Sequence, residues 1–145
     1  MSCRVGEQVH ASAFRADRGQ ALVEAALVLP LMLVLVLGVF AVGVVGRTDA
    51  ALLAVSQEAA RAAATATDPT EAAAHGVARG VQVAYGYRLR DATVTVDARD
   101  FRPGGRVRAD ATVRVSLAFI PIFGPSELTL RHQHAEPIDP FRNVR

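Results

Sequence analysis

Arg18-Gly19-Gln20-Ala21-Leu22-Val23-Glu24-Ala25-Ala26-Leu27-Val28-Leu29-Pro30 opens an apolar run that continues to Val45. Residues 25–46 carry no charge, so Glu24 is the only acid in the run. An ionised carboxylate at mid-bilayer costs about 2.5–3.5 kcal/mol on insertion scales. One turn inside the edge of the run, with Arg18 nearby, the cost is smaller, but it still calls for a reason. Residues 22–45 make about 24 positions, which as a helix span about 36 Å against a hydrocarbon core of about 30 Å. A cleaved secretory signal has a shorter apolar region followed by its cut site. This run is longer and its candidate cut site precedes it. The pattern predicts a transmembrane helix over residues 20–46.

Gly19 and Glu24 stand five positions apart at the head of that helix. This spacing is similar to a processed pilin-type leader, in which a Gly precedes the cut, then come four residues and a Glu. The whole string from Arg18 to Pro30 resembles the opening of the TadE-like family, over about residues 15–64. Those proteins are pseudopilin-like components of tight-adherence (Tad/Flp) pilus machines and related bacterial secretion systems. Ala25 stands where many relatives carry an aromatic. The resemblance implies that residues 1–19 are a cytoplasmic leader and that a prepilin peptidase cuts between Gly19 and Gln20. It also implies that Glu24 meets the new terminal amine of a neighbouring subunit. An unpaired amine and an unpaired carboxylate are each costly in apolar surroundings, so such a pair would set register as well as attract. The partners implied are membrane lipid, other pilin-like subunits, an inner-membrane assembly platform and the peptidase.

Arg4, Arg15 and Arg18 lie before the apolar run, and Arg47 and Arg61 lie after it. That bias places the N-terminus in the cytoplasm, as the resemblance does. The chain is expected to cross the cell membrane once, with its C-terminal domain extracytoplasmic. Pro30 lacks an amide donor and loosens or kinks a helix. Gly38, Ala41, Gly43 and Gly46 put small residues along its outer half, where another helix backbone could approach closely. Packing against sister subunits and ordinary membrane-helix composition both account for them.

Beyond the membrane, residues 47–67 contain helix formers without an internal Gly or Pro, so the helix continues outward. Leu52, Val55 and Ala59 give it an apolar face, and Glu58 or Gln57 can pair with Arg61. Asp68-Pro69-Thr70-Glu71 starts a second helix, with a cap, a first-turn Pro and a capping-box Glu. That helix runs to about Tyr85 and is weakened by Gly76 and Gly80. Tyr85 and Tyr87 are expected to pack under a sheet. From Thr93 the period changes to two, with Val94 and Val96 on one face. Residues 102–106 form a turn, and Val107 to Leu117 alternate as a long amphipathic strand. A hairpin follows from that pairing. Residues 120–125 form an apolar loop, read as a lid closing the core with docking on a partner or the membrane surface as the alternative, residues 127–135 a third strand, and residues 137–145 a loose tail. The fold class expected is α+β and pilin-like: a long N-terminal helix, transmembrane in its first half, then a short helix and a small antiparallel sheet. The domains are residues 1–19, 20–46, 47–67, 68–136 and 137–145.

The 145 residues are 51% hydrophobic with a net charge of +2, and the 16 basic residues are all Arg. Charges of both signs are interspersed between Arg88 and Asp110, unlike the clustered basic surface of a nucleic-acid binder. No nucleic acid, cofactor or metal is expected. Cys3 is the single cysteine, so no intrachain disulfide can form. His132 and His134 share a strand face without a third ligand, and His75 lies one turn from Glu71. Ser56, Ser116 and Ser126 lack a nucleophile's context, and an enzyme is not expected. The sequence favours a structural subunit acting by assembly. An uncleaved single-pass protein scaffolding an envelope complex is the alternative, and a soluble ligand-binding domain on an anchor is a third class without a pocket signal.

Overall fold

A computed structural model describes the backbone of residues 6–118 and 124–141, and the side chains within that range from Gln20 onward. Cys3, Arg4, most of the apolar loop (residues 120–123) and the end of the tail (residues 142–145) lie outside the described residues. The architecture is α+β: helix α1 (Gly6–Ala64), helix α2 (Pro69–Gly86) and strands β1 (Thr93–Asp100), β2 (Arg106–Ser116) and β3 (Glu127–Pro137). The chain divides into two units, Met1–Phe40 and Ala41–Arg145, with the division falling inside α1.

The first unit is the N-terminal part of α1. The helix begins at Gly6, so Gly19 and Gln20 lie within it, and it passes through Pro30. Pro30 has no N–H to donate to the Ala26 carbonyl, but the flanks of Leu, Val and Ala on either side hold the helical path.

In the second unit, α1 buries a stripe at helical spacing: Ala51, Leu52, Val55, Ser56, Ala59, Ala60 and Ala63. Ser56 satisfies its hydroxyl within the helix by donating to Leu53 O at 2.9 Å, and Thr48 does the same to Val44 O at 2.9 Å. The expected apolar face of Leu52, Val55 and Ala59 is therefore the helical wall of the core. Glu58 reaches Arg61 at 4.0 Å and, more closely, Arg79 of α2 at 3.1 Å.

Asp68 caps α2 by accepting from Glu71 N at 2.8 Å. The Glu71 carboxylate reaches back to Thr67, taking its backbone N–H at 2.8 Å and also its hydroxyl. Thr67 is one residue outside the cap, so the reciprocal half of the capping box is displaced by one position. Gly76 and Gly80, read from sequence as weak points, are the places where α2 lies against its neighbours. A Cβ on Gly76 would sit 2.9 Å from Ala59 O and Val96 Cγ2, and one on Gly80 would sit 2.7 Å from Val94 Cγ1. The intrinsic helix penalty of about 1 kcal/mol for Gly is offset by an approach that no larger residue permits.

The end of α2 is a Schellman motif. Leu89 N donates to Ala84 O at 2.9 Å and Arg88 N donates to Tyr85 O at 3.0 Å. Arg88 occupies the left-handed position that glycine usually takes, with φ 63°. Leu89 packs against the core, whereas Tyr85 and Tyr87 remain 64% and 55% exposed. The expectation that both aromatics lie under the sheet is therefore wrong. The buried side of α2 is Ala72, Gly76, Gly80 and Ala84 at four-residue spacing. Tyr85 is turned about 100° from that stripe, and Tyr87 belongs to the cap.

The sheet order is β1-β2-β3, all antiparallel, with β2 central. The β2 pattern is as the alternation predicted, with Val107, Ala109, Ala111, Val113 and Val115 buried. The β1–β2 register shifts between Asp97 and Asp100, and the turn that follows needs its glycines. Gly104 has φ 76°, and a Cβ on Gly105 would lie 2.1 Å from Asp100 O. The tail does not leave the domain at Pro137. Ile138 is 1% exposed, donates its N–H to Gly105 O at 2.9 Å and accepts from Gly104 N at 3.2 Å. It closes a second small core with Ala63, Ala66, Ala72 and Val107. A single isolated Ile in a polar segment carries no periodicity, so its burial was not legible.

Gly76→Ala is expected to destabilise the second unit by about 1–3 kcal/mol, the usual cost of overpacking, even though Ala is the better helix former. Gly86→Ala, where a Cβ meets nothing within 4 Å, is expected to leave stability unchanged or raise it. Chemical unfolding of the detergent-solubilised full chain measures both.

Candidate functional site

Gln20–Ala64 is long and apolar enough to cross a membrane, by length and composition. Its first part presents large side chains outward: Leu22, Val23, Leu27, Leu29, Leu31, Leu33, Leu35, Val39, Phe40 and Val42 are all exposed. None of its most apolar stretch is buried within the chain. A surface of this kind is far beyond the scattered apolar exposure normal for a water-soluble domain. The helix has the character of a membrane anchor.

Glu24 is exposed on this segment, one turn beyond Gln20. Among the described residues no basic side chain pairs with it. Gly38 and Ala41 are half-buried, whereas Gly43 and Gly46 are exposed. A Cβ at Gly38, Gly43 or Gly46 would meet nothing within 4 Å. These glycines are thus not required by packing inside the chain, in contrast to Gly76 and Gly80.

Other chemistry-bearing residues are accounted for by local pairs. His132 and His134 do share a face of β3, but that face is half-buried rather than an open polar surface. His132 Nε2 lies 2.8 Å from Asp49 Oδ1 on α1, and His134 Nε2 lies 3.2 Å from Glu136 Oε2. No sequence signal marks Asp49 as that partner, since only the fold brings residues so distant together. Among the described residues no group of three or more His, Cys, Asp or Glu is placed to hold a metal ion. His75 and Glu71 form the surface pair expected, at 3.7 Å.

The outer sheet face is polar. Arg131 and Gln133 of β3 both reach Asp110 of β2, at 2.7 and 3.2 Å. A wide cleft of about 360 Å³ is lined by Asp97, Arg99, Asp100, Arg106 and Arg108. Within it the Arg99 guanidinium grips Asp97 through several hydrogen bonds, the shortest 2.6 Å. Those bonds, reinforced by the Arg99 backbone N–H, hold the Asp97 carboxyl down at about 2, and the Arg99 guanidinium is raised in turn. The Asp97 carboxylate in the cleft is thus neutralised by its arginine, and the lining offers no apolar pocket of the kind a small-molecule site uses.

The model of the TadE-like protein family matches residues 19–61 of the chain. The match begins at Gly19, covers Glu24 and the whole apolar run, and ends within the buried stripe of α1. No curated protein and no solved structure matches the chain.

The Asp97 carboxyl is expected to titrate in the NMR spectrum with a midpoint near 2, and Arg99→Ala should return it toward 3.8. Because the folded-state value is depressed, the pair's contribution to stability is complete above pH 3.8 and is lost as the pH falls toward 2. A midpoint unaffected by Arg99→Ala would contradict this assignment.

Proposed function

We propose, from the TadE-like segment at residues 19–61, that this chain is a membrane-anchored, pilin-like minor subunit. It would take part in building a Tad/Flp-type pilus or a related secretion apparatus. The observation that carries the reading is the exposed apolar surface of α1 with Glu24 near its inner end. The family match begins at Gly19, where a prepilin peptidase would cut to leave Gln20 as the mature terminus. In that form the terminal amine and Glu24 lie one turn apart on each copy. Helices offset along their axes can then place the amine of one against the carboxylate of the next.

The pairing is favourable because the alternative is worse. Each charge left alone beside the hydrocarbon carries a desolvation cost of a few kcal/mol. A pair that satisfies both selects one axial offset, since a shift of one turn, about 5.4 Å, separates them again. Gly38, Ala41, Gly43 and Gly46 support the same reading. At the three glycines the surface is open and low, which lets a second helix backbone come close. The N-terminus would be cytoplasmic and the second unit extracytoplasmic, next to an inner-membrane assembly platform. The protein would act by assembly, without turnover of a substrate.

Glu24→Ala is expected to abolish incorporation into the assembly while leaving membrane insertion intact, read by co-fractionation and alkaline extraction of membranes. Normal incorporation of that variant would refute the pairing. N-terminal sequencing of the membrane-extracted protein should give Gln20 first. A retained segment ahead of Gln20 would instead support an uncleaved scaffold.

A further inference from the structure

The second unit has one end where aromatic and cationic side chains are exposed together. Ala72 of α2 shares a core with Ala63 and Ala66 of α1, Gly80 lies against Ala59, and Ala84 shares a core with Leu52 and Val55. The two helices therefore run antiparallel, and the end of α2 returns to the level of Leu52. That level is about 7 Å along the helix axis from Arg47, the first charge after the apolar run. Here the chain reads Tyr85-Gly86-Tyr87-Arg88-Leu89-Arg90. Leu89 anchors the turn in the core, and Tyr85, Tyr87, Arg88 and Arg90 are all exposed. Among the described residues neither Arg88 nor Arg90 takes part in an ion pair, and Asp91 is the one acid in the turn.

Arg88 adds an independent observation. Among the described residues it is the one non-glycine with a positive φ, at 63°. Glycine would occupy that capping position without strain. An exposed arginine held there, flanked by two exposed tyrosines, points to a use for the side chain outside the fold.

We propose that Tyr85, Tyr87, Arg88 and Arg90 form a contact with anionic phospholipid headgroups, seating this end of the second unit on the membrane surface. The proposal rests on the membrane-anchor reading of α1. The headgroup layer extends about 5–8 Å beyond the hydrocarbon on each side, so a turn about 7 Å past Arg47 meets it. Tyrosine rings favour that layer because one end is apolar and the other is hydrated. Arginine guanidiniums there can hydrogen-bond lipid phosphate in a bidentate fork. The chemistry selects lipid phosphate over the same turn of a second copy, since that turn is cationic and two of them would oppose like charges.

The chain has no tryptophan, so Tyr87→Trp gives a single reporter in the full chain reconstituted into vesicles, and Val36→Trp gives a second in a separate preparation. The indole of the Val36→Trp variant should be quenched by lipids labelled deep in the acyl chain. The indole of the Tyr87→Trp variant should be quenched by headgroup-labelled lipids, more strongly with phosphatidylglycerol than with phosphatidylcholine alone, and less at high salt. Deep quenching at position 36, with the indole at position 87 open to aqueous quencher in both vesicles, would overturn the headgroup contact and leave the anchor standing. Loss of deep quenching at position 36 would overturn the anchor and this contact with it. A signal at position 87 that follows protein density and ignores lipid charge would place a second copy on the patch, which also overturns it. Arg88→Gly in the Tyr87→Trp background should lower the docked-to-free ratio about five-fold while raising the thermal midpoint by about 4 °C. A gain in midpoint with docking unchanged would reduce Arg88 to a cap and sink its role.

Discussion

The exposed apolar surface between Leu22 and Val42 is the constraint under which the rest of the chain is arranged. The 14 exposed Leu, Val, Met and Phe side chains there, at about 1.5–3 kcal/mol each, carry a burial free energy of about 20–40 kcal/mol. The net stability of a small domain is about 5–15 kcal/mol. Removing this surface from water therefore outweighs the folding of everything that follows. Nothing among the described residues covers it, and the fully buried core of the second unit begins where Ala51 and Leu52 turn inward.

One helix thus serves two environments through two residue vocabularies. Its first part uses large aliphatics all round, which suits a hydrocarbon solvent with no preferred face. Its later part narrows to a stripe of Ala with Leu52 and Val55, against which α2 and the sheet approach closely. Small side chains bury little area each, so this core relies on proximity: Gly76 and Gly80 on α2 and Ala109 and Ala111 on β2 let backbone and side chains meet at van der Waals distance. The same residue type, glycine, has opposite roles on the two helices. At Gly76 and Gly80 of α2 it is enclosed, and at Gly38, Gly43 and Gly46 of α1 it faces open space.

Electrostatics follow a related division. In the second unit many acids have a close basic partner: Glu58 with Arg79, Asp97 with Arg99, Asp110 with Arg131, Asp49 with His132. Surface pairs of this kind contribute little stability individually. Glu24 differs from these acids: it lies on the apolar segment and has no ion-pair partner among the described residues.

Much of the fold was legible because its signals are local. The apolar run, the Asp68-Pro69 start of α2 and the two-residue period of β2 each depend on neighbours a few positions apart. The position of Glu24 relative to Gly19 was legible for the same reason. What sequence alone could not determine were contacts between distant segments. Which face of α2 is buried depended on how near Ala59 and Val94 come to Gly76 and Gly80, and that nearness turned Tyr85 and Tyr87 outward. Ile138 entered the core because the Gly104-Gly105 turn offered it backbone partners. His132 met Asp49 because β3 crosses α1 at that level. Periodicity along one chain identifies elements and their faces, whereas the distance between two backbones is set only when both are packed, and here it decided which residues remained exposed.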